Sequence, residues 1–128
     1  GGLGTGGSGY GAEESPGSGG IKSTAGEPIL LGELERADID AVVKRHLGQI
    51  RYCYQRELTR NPTLSGRIVI KFVIAKDGSV SSANVRSSTM GSSSVEQCLA
   101  GRFMRMQFPK PKGGGIVIVS YPFVFEPG

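Results

Sequence analysis

Large apolar residues recur at every second position along the middle of the chain. Ile68, Ile70, Phe72 and Ile74 share one face, and Arg67, Val69, Lys71 and Val73 share the other. A period of two, rich in β-branched residues, predicts a strand half-buried against another layer. Asp77-Gly78 follows it, a pair suited to a two-residue type I′ turn because that turn needs positive φ at both central positions. Ser65–Ser88 therefore reads as one β-hairpin, with a more polar return strand over Val80–Ser88.

On both sides of the hairpin the period changes to that of a helix. Ile39, Val42, Val43, Leu47, Ile50, Cys53, Tyr54 and Leu58 make an apolar stripe, opposite Lys44, Arg45, Gln49, Arg51, Gln55 and Arg56. Asp38 is the expected N-cap, and Asn61-Pro62 ends the helix. Run over residues 38–60, it would be about 34 Å long at about 1.5 Å per residue. After the hairpin, Ser93-x-x-Glu96 reads as a capping box for a second helix with a stripe of Val95, Cys98, Leu99, Phe103 and Met106. Phe108-Pro109-Lys110-Pro111 ends that helix, and Gly113-Gly114-Gly115 reads as a flexible hinge. The last strand, Ile116–Phe125, puts Val117, Val119, Tyr121, Phe123 and Phe125 on one face. Pro122 within it has no N–H to give a ladder. The sum is an α+β fold: two helices packed on one face of a small three-stranded antiparallel sheet, with residues 28–34 as a candidate short N-terminal strand.

Composition divides the chain. Residues 1–20 hold ten glycines, so residues 1–27 are expected to be a flexible linker and residues 28–128 the domain. The chain does not begin with Met, and it reads as a fragment of a longer protein. It shows neither a signal peptide nor an apolar run long enough to span a membrane. Residues 1–40 carry two Lys/Arg against seven acids, and residues 41–128 carry thirteen against four, so the net charges are −5 and +9. The basic part is either a solvated face or a surface for an acidic partner, polymer or membrane. No zinc-finger spacing, helix-turn-helix or paired RNA-binding aromatics accompany it, so nucleic acid is not an expected partner.

The two cysteines, Cys53 and Cys98, fall on the core stripes of the two helices, which must cover the same sheet face. They are either a disulfide, implying an oxidising compartment, or two buried thiols acting as small apolar groups, and facing stripes favour the disulfide. Closing a loop of that length is worth roughly 4 kcal/mol at most by chain entropy.

From the first helix onward the chain resembles a TonB-type C-terminal domain, and more closely the AgmX/PglI C-terminal subfamily. The shared landmarks are Cys53-Tyr54, Pro62, Gly66, Asp77-Gly78, Ser87-Ser88, Cys98, Phe108-Pro109-Lys110-Pro111, Gly113-Gly114-Gly115 and Tyr121-Pro122-Phe123, covering residues 38–125. The resemblance implies a periplasmic domain on a long linker from an inner-membrane anchor, within an envelope-spanning machine driven by the proton-motive force, with gliding motility as its setting. It implies partners among outer-membrane and periplasmic proteins, gripped by adding an extended segment to the sheet edge. Here that edge maps to Ile116, Val117, Ile118, Val119, Ser120 and Tyr121. The chain lacks the Tyr-Pro that precedes the first helix in TonB itself, so TonB's own partner motif does not carry over.

Catalytic chemistry is not visible in the sequence. His46, the single histidine, has no acid at i±3 or i±4, and two Cys plus one His do not space as a metal site. Gly113-Gly114-Gly115 leads into a strand rather than a helix, so it is not a phosphate loop. Arg51 and Asn84 match the residue types of an acylphosphatase site, without its loop. The chain is therefore not expected to be an enzyme or to carry a cofactor. Two rivals to strand addition stand beside it. One is a cell-wall (peptidoglycan) binder using the basic surface, and the other is a module that dimerises its parent through the same edge.

Overall fold

The computed structural model describes residues 28–128 in full and, ahead of them, the backbone of Gly20–Ser23. The fold is α+β. Strands β1 (Gly20–Ser23) and β2 (Ile29–Leu31) precede helices α1 (Arg36–Arg45) and α2 (Leu47–Leu58). Then come β3 (Gly66–Ile74), β4 (Val80–Ser88), α3 (Ser93–Phe103) and β5 (Val117–Glu126). The sheet is antiparallel in the order β1-β5-β3-β4, with β2 also paired to β5. The expected three strands are the body of this sheet, and two short N-terminal segments extend it. One of them, Gly20–Ser23, lies inside the segment expected to be linker and pairs with Glu126–Val124. The remainder of that expected linker, residues 1–19 and 24–27, lies outside the described residues.

Alternation decides which face is buried. Ile68, Ile70, Phe72 and Ile74 of β3 and Val117, Val119, Tyr121, Phe123 and Phe125 of β5 all pack into the core under the three helices. Aromatic rings fill its centre: Phe72 lies 4.9 Å from Phe103 and 5.5 Å from Phe108, and Tyr54 lies 5.0 Å from Phe125. The Tyr54 hydroxyl donates to the Leu64 carbonyl, so the one polar atom on that buried ring is satisfied.

The single long first helix is in fact two helices. His46 sits between them with φ −106° and ψ 5°, and its N–H bonds to the Val43 carbonyl at 3.0 Å, a tighter turn than an α-helix makes. His46 falls where the apolar stripe would need its next residue, and a bend there lets both Val42-Val43 and Ile50-Cys53-Tyr54 reach one small sheet. Glu35, not Asp38, stands at the N-cap and makes no side-chain cap bond. Asp38 lies in the first turn, where its charge complements the positive helix end. The α3 cap is Ser92 rather than Ser93, its Oγ accepting the Val95 N–H at 3.3 Å.

The hairpin turn also differs from expectation. The Gly78 N–H bonds to the Ala75 carbonyl and the Ala75 N–H to the Ser79 carbonyl, so the β3–β4 loop is longer than a two-residue turn. Gly78 holds φ +90°, and a Cβ there would stand 2.1 Å from the Phe108 carbonyl oxygen. That closeness exists because the Phe108 N–H bonds back to the Gly78 carbonyl, clasping the hairpin tip against the chain leaving α3. The expected hinge at Gly113 contains a 3₁₀ turn, Lys112–Gly114, tethered by the Lys112 N–H to the Glu33 carbonyl at 3.0 Å.

Candidate functional site

The flank of β5 that faces away from β3 is the first candidate. Ile116–Tyr121 was expected to be the partner-binding edge, and the candidate strand within residues 28–34 covers part of it: Ile118, Val119 and Ser120 pair in register with Leu31, Leu30 and Ile29 of β2, while Ile116 precedes the strand. On its other side β5 pairs with β3 from Val117 to Phe125. Leu30 packs against the core, and its neighbours Ile29 and Leu31 are about half or more exposed, at 54% and 62%. β2 is thus a three-residue cover holding one apolar side chain inward. Gly32 then brings its backbone against β5, since a Cβ there would lie 2.7 Å from the Ile116 carbonyl oxygen.

The cover is discontinuous. β2 ends at Ser120 and β1 begins at Val124, so Tyr121, Pro122 and Phe123 have no described strand on that flank. Pro122 sits in the middle of this gap, where a missing N–H costs no ladder bond. The opposite sheet edge, β4, is long but interrupted. Its register against β3 slips near Val69/Ile70 and near Val73/Ile74, leaving Arg86 and Ser81 as extra residues. Such bulges twist an edge away from regular pairing.

The second candidate is the sheet face that the helices leave bare. Arg67, Val69 and Lys71 of β3 and Ser120, Pro122 and Val124 of β5 alternate away from the core. The bulge leaves Arg86 without a partner residue on β3, and Arg86 and Ser87 line the same cavity as Arg67, Val69, Ser120, Pro122 and Ile29. That cavity has a volume of about 350 Å³. Its floor contains the single buried polar side chain among the described residues, Ser120, whose hydroxyl accepts from the Arg86 guanidinium at 3.5 Å, a long contact. The ion pairs of the described residues, Arg36–Asp40, Arg56–Glu57 and Arg60–Glu57, all lie in the helical layer. Arg67, Lys71 and Arg86 take no part in them.

Cys53 and Cys98 are joined as a disulfide that ties α2 to α3, with a sequence separation of 45. Beside it the Ser94 hydroxyl donates to Glu57 at 2.8 Å, a second link between the same helices. On the far side of the core the Tyr121 hydroxyl donates to Asp40 at 2.7 Å. Burial raises the Tyr121 pKa, and the neighbouring Asp40 acceptor raises it further. Burial likewise raises that of Tyr54. Asp77 at the hairpin tip is held below the usual carboxylate range by bonds from the Ser79 hydroxyl and N–H.

The remaining residues singled out by sequence do not gather. Arg51 belongs to α2 in the helical layer, while Asn84 lies on β4 opposite Lys71, so an acylphosphatase-like pair does not form. His46 occupies the α1–α2 junction, half-buried. No helix among the described residues is long and apolar enough to cross a membrane. No family model matches the chain, and neither does any curated protein or solved structure.

Proposed function

We propose that this domain is a TonB-like protein-interaction module that grips an extended partner segment by strand addition along the outer flank of β5. The observation that carries the reading is the way that flank is filled. A ten-residue strand is covered by three residues at one end and a short strand at the other, with Tyr121–Phe123 left between. A partner strand displacing β2 would exchange one set of main-chain hydrogen bonds for a longer one, and its side chains would then reach both faces of the sheet. The setting proposed with it is the periplasm, in the C-terminal part of an inner-membrane-anchored protein that transmits proton-motive force to outer-membrane partners, gliding motility being the favoured case. The Cys53–Cys98 disulfide suits such an oxidising compartment, and it suits a small domain under load.

A backbone amide NMR titration of the oxidised chain with extended segments of periplasmic and outer-membrane proteins tests this. The expected result is shifts along Val117–Tyr121 together with shifts in Ile29–Leu31 as β2 is displaced. The pattern should persist at high salt, because main-chain pairing is weakly screened. Binding without any shift along β5 would overturn the reading.

A further inference from the structure

Three cations stand on the bare sheet face and join none of the ion pairs of the described residues. Arg67 and Lys71 come from β3 and Arg86 from the β4 bulge. A bulge re-aims a side chain, and here it sets Arg86 alongside Ser87 at the mouth of the cavity that Arg67 also lines. Val69 and Pro122, register partners and both buried, line the cavity together with Ser120. Two guanidiniums over an apolar floor, with hydroxyls at hand, is the chemistry that receives a carboxylate: charge-assisted donors around a partly water-excluded seat. Ile29 forms one wall, so the cavity adjoins the flank along which a partner strand would lie.

We infer that this cavity takes the carboxylate of an Asp or Glu side chain from an extended partner segment. The inference rests on the strand-addition reading and names the chemistry of the partner. Register supplies the link. β2 sets Ile29 opposite Ser120, so a partner strand in the same register sets its residue two places earlier opposite Pro122, on the bare face. An acidic residue at that place would stand over the Pro122 floor between Arg67 and Arg86. A peptide fits better than a glycan, because a sugar ring packs on aromatic side chains and the residues lining this cavity include none.

The test uses the full oxidised chain and a blocked synthetic peptide with the sequence of residues 24–34. That peptide contains the β2 sequence and has Glu27 at the required place. A second peptide carries Glu27→Gln. The readouts are the Arg67 and Arg86 side-chain N–H signals, the backbone amides of Val117–Tyr121, and the dissociation constant at low and high salt. The expected result is that the Glu peptide binds about five-fold more tightly at low salt and shifts both Arg signals. That advantage should disappear in an Arg67→Gln/Arg86→Gln chain and shrink as salt rises.

Equal binding of the two peptides, with shifts along β5, would overturn the carboxylate seat and leave strand addition standing. Failure of both peptides to shift Val117–Tyr121 would count against strand addition and the seat together. Anionic cell-wall fragments that shift the Arg67 and Arg86 signals while the Glu peptide does not would overturn the peptide assignment in favour of a wall polymer.

Discussion

The two faces of the sheet come from the same strands and have opposite jobs. On the face toward the helices, β3 and β5 supply only aliphatic and aromatic residues, and three helices close over them. On the other face, one residue along in each strand, the same β3 supplies Arg67 and Val69 to a cavity, with Lys71 beyond them on that face. A period of two lets one segment of chain build both a core and a surface, since successive side chains point to opposite faces. The difference teaches where to look for function: on the face away from the helices, two guanidiniums, Arg67 and Arg86, converge on one cavity and join none of the ion pairs of the described residues.

The sharpest way to test that division is to cut into each face in turn. Phe72→Ala removes a fully buried ring that touches both Phe103 and Phe108, and is expected to cost about 3–5 kcal/mol in urea unfolding. On the other face of the same strand, Val69→Thr should cost about 1 kcal/mol, because Val69 packs outside the core cluster. Similar losses at the two positions would dissolve the distinction between the faces.

Slightly smaller is the disulfide. Reducing it, or making Cys53→Ala/Cys98→Ala, frees a loop with ends 45 residues apart and should destabilise the fold by about 4 kcal/mol at most. A melting temperature unchanged by reductant would show that α2 and α3 are held by packing alone.

Next comes Tyr121→Phe, which removes the hydrogen bond to Asp40 at the helix-side end of the core and should cost about 1–2 kcal/mol near neutral pH. It also carries a pH signature. Free tyrosine titrates near pH 10, and burial of Tyr121 and Tyr54 raises both values in the folded state. The unfolded chain therefore releases these protons first, so their contribution is full below about pH 10 and falls as pH rises beyond it. Melting temperature followed from pH 8 to 11.5 should drop less steeply in Tyr121→Phe than in the parent chain, and parallel curves would remove Tyr121 as a cause.

The smallest effect is the most telling for function. Arg67→Gln and Arg86→Gln should change stability by no more than about 0.5 kcal/mol, since neither side chain joins an ion pair of the described residues. A large loss in either would mean that the bare face contributes to folding and is not reserved for a ligand.

Much of the core was legible because burial imposes periodicity. The stripes that contain Ile39, Val42, Val43, Cys53, Tyr54, Leu99 and Phe103 could be read directly, as could the inward faces of β3 and β5. Facing stripes also put Cys53 near Cys98. What could not be read depended on how much room the sheet offers. A continuous stripe gives no sign that the helix must bend at His46, beyond that one polar residue lying on it. Ile29–Leu31 is apolar whether it covers β5 or hangs free, and only docking of Leu30 into the core and the close approach of Gly32 to β5 decide the matter. Whether residues 28–34 cover the edge at Ile118–Ser120 was therefore not legible, because strand pairing is a long-range choice with no local signal.

The candidate cavity shows the same limit. Arg67 and Lys71 are visible as a polar face, but Arg86 and Ser120 are far apart in sequence and meet only because a one-residue bulge shifts the β3–β4 register. Sequence alone determined which side of each helix and strand faces the core, because hydrophobic periodicity is a local property of each element. Tertiary structure decided which strand edges are covered and which cations converge, because those depend on register and on competition among segments for the same flank.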